Sequence, residues 1–182
     1  MNVKEPTYNW YAVYTKVNGE KKIRAQLEEQ NIQCYLPLKR TLRQWSDRKK
    51  WIEEPLFRSY IFVKVSHIEF FNVLDIPGTV CYVSFGGRAQ SIPEYQIDNI
   101  KTFVKQEEKE ISLTKERVQK GLKAEVLCGP LKGVKGEIVQ LAGQYRILIR
   151  VETMGCSLHA NISREEVKIL ETGAEKSINE KT

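Results

Sequence analysis

The chain has 182 residues, 41% of them hydrophobic, and a formal charge of +6. That length and apolar content suit one large or two small domains with real cores and exclude a wholly disordered chain. Residues 1–106 carry 16 Lys+Arg against 11 Asp+Glu, and residues 107–182 carry 13 against 12, so the positive excess belongs to the first half. It suits a polyanionic partner and also serves solubility. No apolar run reaches the ~18 residues of a membrane-spanning helix, and MNVKEPTYNW lacks a signal-peptide core, so no membrane role and a cytoplasmic location are expected. The four cysteines (Cys34, Cys81, Cys128, Cys156) form no C-x-x-C pair, and only His67 and His159 accompany them. Their spacing holds no metal, no cofactor is expected, and each thiol reads as buried among apolar neighbours. No Ser/His/Asp, Cys/His or paired-carboxylate constellation is visible, so the chain does not read as an enzyme.

In chain order, WYAVYTK (10–16) is aromatic and β-branched and predicts a strand, broken by Asn18-Gly19. GEKKIRAQLEEQNI predicts a helix with Ile23 and Leu27 on one face. CYLPL (34–38) is a short strand, followed by the basic tract KRTLRQWSDRKKW (39–51). EEPLFRSYIFVKV (53–65) ends in the strongest strand signal of the chain. Ser66 and Glu69 form a capping-box pattern ahead of FFNVL, which predicts a helix over 67–75 before Pro77-Gly78. TVCYVSFGG (79–87) reads as one strand. Ile97, Ile100, Phe103 and Val104 make the stripe of a third helix, opened by Pro93 and Glu94. Three helices alternating with at least four strands predict an α+β sandwich, one sheet with helices packed on it.

Residues 107–120, EEKEISLTKERVQK, are dense in mixed charge and read as a linker. Beyond Gly121 no helical period survives. AEVL, GEIVQL, YRILIRVE, CSLHANI and VKIL are five short strands in about 50 residues, the pattern of a small closed barrel. Residues 171–182 read as a disordered tail. CGPLKGVKGEIV (128–139) lies in the first hairpin of this half. It is no phosphate loop, because Lys135 is followed by Gly136-Glu137 and not by a hydroxyl residue opening a helix. A tight turn that needs glycine for positive φ or close backbone approach accounts for it better.

These stretches together resemble a known family. Val126, Gly129, Gly133, Gly136 and Ile138 are similar to the KOW motif of SH3-like barrels. WYAVYTKVNGEKK, EEPLFRSYIFV and IPGTVCYVSFGGRAQSIP look like successive segments of the NusG N-terminal domain. The likeness spans about residues 9–170, and the EPLFxxYxFV and VxFG forms lean towards the specialised RfaH and UpxY-type antiterminators. It implies an N-terminal domain over 1–106 with a four-stranded antiparallel sheet flanked by helices, a linker over 107–120 and a five-stranded barrel over 121–170. It implies a monomer that binds RNA polymerase at the clamp helices, suppresses pausing or termination, and in specialised members reads non-template DNA. The barrel would recruit a second partner such as a ribosomal protein or Rho. The rival reading is a KOW-type RNA-binding protein of ribosome assembly or translation.

The resemblance assigns residues as well. Phe57 and Tyr60, with Leu56, Tyr82 and Phe85, would line the polymerase-binding depression; from spacing alone such aromatics read as core. Arg58-Ser59 departs from the Pro-Gly usual after the Phe. Trp10, Tyr14, Lys16 and Lys22 match the DNA-facing surface, joined by Lys21 and Arg24, cations in early helix turns where the macrodipole disfavours them. The tract Lys39, Arg40, Arg43, Arg48, Lys49 and Lys50, interleaved with Trp45 and Trp51, falls in a variable hairpin or loop. Either it is a solvated loop or it contacts upstream DNA or RNA, lysines neutralising phosphates and aromatics stacking on bases. In the RfaH branch the second domain can rest as a helical hairpin; residues 124–151, rich in Val, Ile and Gly, oppose helix and predict strands.

Overall fold

The computed structural model describes residues 5–45, 48–105, 111–114, 121–141 and 143–170. The chain divides into two compact units, the first ending at Val104 and the second beginning at Lys105. The first contains β1 (Asn9–Thr15), α1 (Glu20–Glu29), β2 (Gln33–Tyr35), β3 (Leu38–Gln44), β4 (Lys49–Pro55), β5 (Tyr60–Val65), β6 (Thr79–Tyr82), β7 (Ser84–Phe85), β8 (Arg88–Ala89), β9 (Ser91–Ile92) and α2 (Glu94–Val104). Its main sheet has the antiparallel order β2-β5-β1-β6, and β9 pairs with β1 as a fifth strand. β3–β4 and β7–β8 form separate two-stranded hairpins.

β1 is buried on both faces because helical or turn structure covers each. Tyr11 and Val13 point to one face, where they meet Val63 and Ile61 of β5 in register. That face packs against Ile23 and Leu27 of α1 and against Val73 and Ile76. Trp10, Ala12 and Tyr14 point to the other face, where they meet Lys64, Phe62 and Tyr60. The α2 side chains Glu94 and Lys101 reach the Trp10 ring on this second face.

Three sequence expectations change here. Residues 67–75 form consecutive turns, not a helix, so the first unit has two α-helices among the described residues. The Glu69 side-chain half of the capping box is present: the Ser66 N–H and hydroxyl both donate to Glu69 Oε2, at 3.0 and 2.9 Å, while Ser66 Oγ accepts from the Ile68 N–H at 3.3 Å. Downstream, Leu74 and Ile76 bond to carbonyls three residues back. Asn72, Val73 and the following Pro77 give little support for wider helical turns. The strand expected over 79–87 splits at Val83, whose N–H donates to the Ala12 carbonyl at 2.8 Å; β7 then pairs with β8, not with the sheet. Finally, only Cys156 is buried. Cys34 is half-buried, and Cys81 and Cys128 are exposed. Cys81 alternates on an outer strand with buried Tyr82, and Cys128 lies in the loop after a strand. Burial lifts the Cys34 thiol to about 11.

The second unit contains β10 (Ile111–Thr114), β11 (Leu122–Val126), β12 (Lys135–Leu141), β13 (Gln144–Val151), β14 (Cys156–Asn161) and β15 (Val167–Ile169), with short 3-10 turns at Glu152–Met154 and Arg164–Glu166. All pairings are antiparallel, in the order β10-β14-β13-β12-β11-β15. The five expected strands are all present, and residues 124–151 contain no helix among the described residues. The addition is β10, which forms inside the segment read as linker; the rest of 106–120 and the tail 171–182 lie outside the described residues. The core gathers Ala124, Val126, Leu131, Val134, Ile147, Leu148, Ile149, Val151, Leu158 and Ala160. Arg150 donates two hydrogen bonds to the Glu137 carboxylate, each 2.9 Å, across β12 and β13.

The glycine spacing of 128–139 now has a physical reason. Gly129 and Gly133 sit at φ 77° and 86° in the β11–β12 loop, a region that disfavours any β-carbon. Gly136 is needed for proximity: a β-carbon there would lie 2.5 Å from the Leu148 carbonyl oxygen of the neighbouring strand. Val126 is buried, and Ile138 is half-buried on β12.

Candidate functional site

The face of the first sheet that carries Trp10 is the better-built surface. Trp10 is 2% exposed. Its indole Nε1–H donates to Glu94 Oε1 at 3.0 Å, and Lys64 Nζ lies 2.8 Å from the other Glu94 oxygen. Lys101 Nζ sits 5.5 Å from the indole centroid. The Lys64 hydrogen bond, then the Trp10 one, hold the Glu94 carboxyl below its ordinary range. Trp10 is thus a core residue capped by a salt-bridged carboxylate, and offers no ring to a base. Phe57 is also 2% exposed and stands edge-on to Phe62, centroids 5.5 Å apart. Tyr35 lies alongside Phe62, and burial pushes its hydroxyl to about 12.

Where the core ends, two tyrosines reach the surface. Tyr14 and Tyr60 are cross-strand partners, and their rings meet edge to face at 5.3 Å. Tyr14 is 41% exposed and Tyr60 half-buried. One had been assigned to DNA and the other to polymerase; the sheet register brings them together.

Beside them is the turn Leu56–Ser59. Ser59 adopts φ 65°, a conformation in which a glycine would sit without strain. Its N–H donates to Glu20 Oε1 at 2.7 Å, and its carbonyl accepts from the Thr15 N–H at 2.8 Å. Glu20 is itself buried. A carboxylate in the first turn of α1 therefore pins a backbone position that glycine would otherwise occupy. The sequence reading missed Glu20, whose only signal is an acid at a helix start. Leu56 is half-buried on the same turn and Arg58 is exposed, 3.9 Å from Glu54.

The other expected members lie apart. Tyr82 points to the α1 face, where it stacks on Phe70 at 4.0 Å and donates its hydroxyl to the Phe70 carbonyl at 2.7 Å; burial raises its pKa. Phe85 is 82% exposed on the β7–β8 hairpin.

The basic tract folds as the β3–β4 hairpin. Alternation puts Arg40, Leu42, Trp51 and Lys49 on one face, with Leu42 directly opposite Trp51. Trp51 is 58% exposed, Leu42 46%, and the Arg40 guanidinium sits 5.5 Å from the Trp51 ring. The opposite face carries Lys39, Arg43 and Lys50, where Arg43 pairs with Glu54. At the turn, the Trp45 N–H donates to the Arg48 carbonyl at 2.8 Å; Ser46 and Asp47 lie outside the described residues. On α1, Lys21 Nζ donates to the Glu53 carbonyl of this hairpin at 2.8 Å, Arg24 pairs with Glu28 at 3.5 Å, and Lys22, like Lys16 before the helix, is exposed. Among the described residues there is no cluster of potential metal ligands and no helix long and apolar enough to cross a membrane.

The comparisons with known proteins fit this architecture. A family model described as "NusG: Transcription termination factor nusG" matches residues 8–101. No curated protein matches the chain. Among solved structures, "Domain interaction in Thermotoga maritima NusG" aligns at a TM-score of 0.51 and 20% identity, over 91% of this chain and 98% of that one; this likeness speaks for the fold. A "MjSpt4:Spt5 complex" in conformation A aligns at a TM-score of 0.30 and 16% identity, over 88% and 97%. With the family model spanning more than half of its length, the chain belongs to the NusG family of transcription factors.

Proposed function

We propose that this chain is a specialised transcription elongation factor of the RfaH and UpxY kind. The first unit docks on RNA polymerase at the clamp helices and suppresses pausing or termination in particular operons, long ones such as those for surface polysaccharides being the usual clients of specialised members. The observation that carries this reading is the Tyr14–Tyr60 pair, an accessible aromatic contact on the sheet face whose other large aromatics, Trp10 and Phe62, are buried. Two rings held by cross-strand register lose little freedom on binding, the property of interface anchors. Leu56 and Arg58 extend that surface, and Phe57 supports it from inside.

The β3–β4 hairpin is the nucleic-acid arm, with Trp51 and Arg40 offering a stacking face and Lys49 and Lys50 offering charge. Lys16 and Lys22 serve the non-template strand. The second unit is a KOW barrel that recruits a further partner, a ribosomal protein or Rho. Its loop glycines and strand order support that assignment.

The test is a single-round transcription assay with the cognate polymerase on a template with mapped pause sites. The proposal expects shorter pauses or read-through on adding the full chain, and loss of the effect with Tyr14→Ala/Tyr60→Ala. Unchanged pausing and termination on several templates, from folded protein, would contradict it.

A further inference from the structure

The edge of β14 in the second unit is occupied by the chain's own strand β10. Register places Ile111 opposite Ala160, Ser112 opposite His159, Leu113 opposite Leu158 and Thr114 opposite Ser157. All four β14 residues are buried. Without β10, β14 would present a bare ladder edge, the template on which extended segments add. β10 is a weak cover: it has four residues with charged sequence on both sides, and the entropy lost in ordering each residue is similar in size to the gain per ladder bond.

We propose that the β14 edge is a strand-addition site for an extended segment of a partner protein, with β10 as its resident, displaceable occupant. The partner segment has the sequence pattern of Ile111–Thr114: apolar residues two apart, in register with Ala160 and Leu158, alternating with small hydroxyl residues in register with His159 and Ser157. Backbone hydrogen bonds supply affinity and the alternation supplies register. The proposal deepens the reading that the second unit recruits a partner. It also implies that recruitment is held back until β10 is exchanged.

The test needs no polymerase, so its failure is distinct from a failure of the polymerase reading. The probe is a fluorescein-labelled peptide with the chain's own sequence KEISLTKE (109–116), titrated into full-length protein and read by anisotropy. The Ile162 N–H donates to the Tyr145 carbonyl of β13, so alternation turns the backbone groups of Ser157 and His159 towards β10, opposite Thr114 and Ser112. Ser112→Pro therefore removes a ladder donor and vacates the edge; Thr114→Cys/Ser157→Cys, oxidised, locks β10 in place. The peptide is expected to bind Ser112→Pro about tenfold or more tighter than wild type and not to bind the locked chain, with reduction restoring the wild-type level. If Ser112→Pro loses the amide protection of the second unit, Ile111→Ala/Leu113→Ala takes its place with the same expectation. Equal binding to locked and wild-type chains, or no binding to a folded β10 variant, overturns the proposal.

Discussion

Ser59 shows how backbone strain at a single residue is compensated. A non-glycine residue at φ 65° costs about 1 kcal/mol of backbone strain, and the buried Glu20 carboxylate offsets it by accepting the Ser59 N–H. Ser59→Gly is therefore expected to stabilise the first unit by up to about 1 kcal/mol, and Glu20→Gln to destabilise it by about 1–3 kcal/mol, both read from urea unfolding. A neutral Glu20→Gln would mean that the turn is held by other contacts. Phe57 and Tyr60 looked alike in the sequence, because both are aromatics beside a strong strand. Alternation could not separate them, since the turn 56–59 interrupts the period of two; only the fold shows Phe57 turned inward on Phe62. Phe57→Ala should thus destabilise the protein by about 3–5 kcal/mol as a cavity mutation. A fully stable Phe57→Ala would contradict its place in the core. His159 gives a pH signature. Burial, and then the neighbouring Arg146 guanidinium, lower its pKa below the ordinary 6.5, so the unfolded chain binds the proton first. Stability of the second unit should be full above pH 6.5, fall as pH drops through the lowered folded value, and then level off. His159→Gln should remove that slope in pH-dependent unfolding.

Among the elements, the strands were the most legible and the turns the least. β1, β5 and β13 announced themselves through β-branched and aromatic runs, and β11, β12 and β14 through the glycines that flank or enter them. The Ser66–Glu69 pattern marks a capping contact of the Glu69 carboxylate but no helix, because a cap starts a helix only if the following residues sustain it. β10 was hidden by the charges around ISLT; its pairing partner lies more than 40 residues away, and no local signal reports such a contact. The β3–β4 segment reads in the sequence as a basic tract, which the resemblance makes a variable hairpin or loop without a register. Its register gives that tract two chemically different faces and hence a separable test. In binding to a single-stranded oligonucleotide, Lys49→Ala/Lys50→Ala should reduce the slope of log affinity against log salt by up to about 1.4. Trp51→Ala should weaken binding by about 1–3 kcal/mol for each base stacked and leave the slope nearly unchanged. A salt slope unaffected by loss of both lysines would remove the hairpin from the interface.

For the whole molecule, family membership rests on the first unit, which the family model matches over residues 8–101, and the second unit was legible through its glycines. Two classes of function were open from the sequence, transcription and ribosome assembly; family membership favours the first. The account therefore turns on whether the sheet face bearing Tyr14 and Tyr60 meets polymerase. The most direct measurement is the affinity of the full chain for cognate core RNA polymerase, wild type beside Tyr14→Ala/Tyr60→Ala. Loss of two anchors should cost roughly 2–4 kcal/mol, about 30-fold or more in Kd, with the fold intact. A double variant that binds as tightly as wild type would place the contact elsewhere on the molecule, and a folded wild type that does not bind polymerase at all would contradict the account.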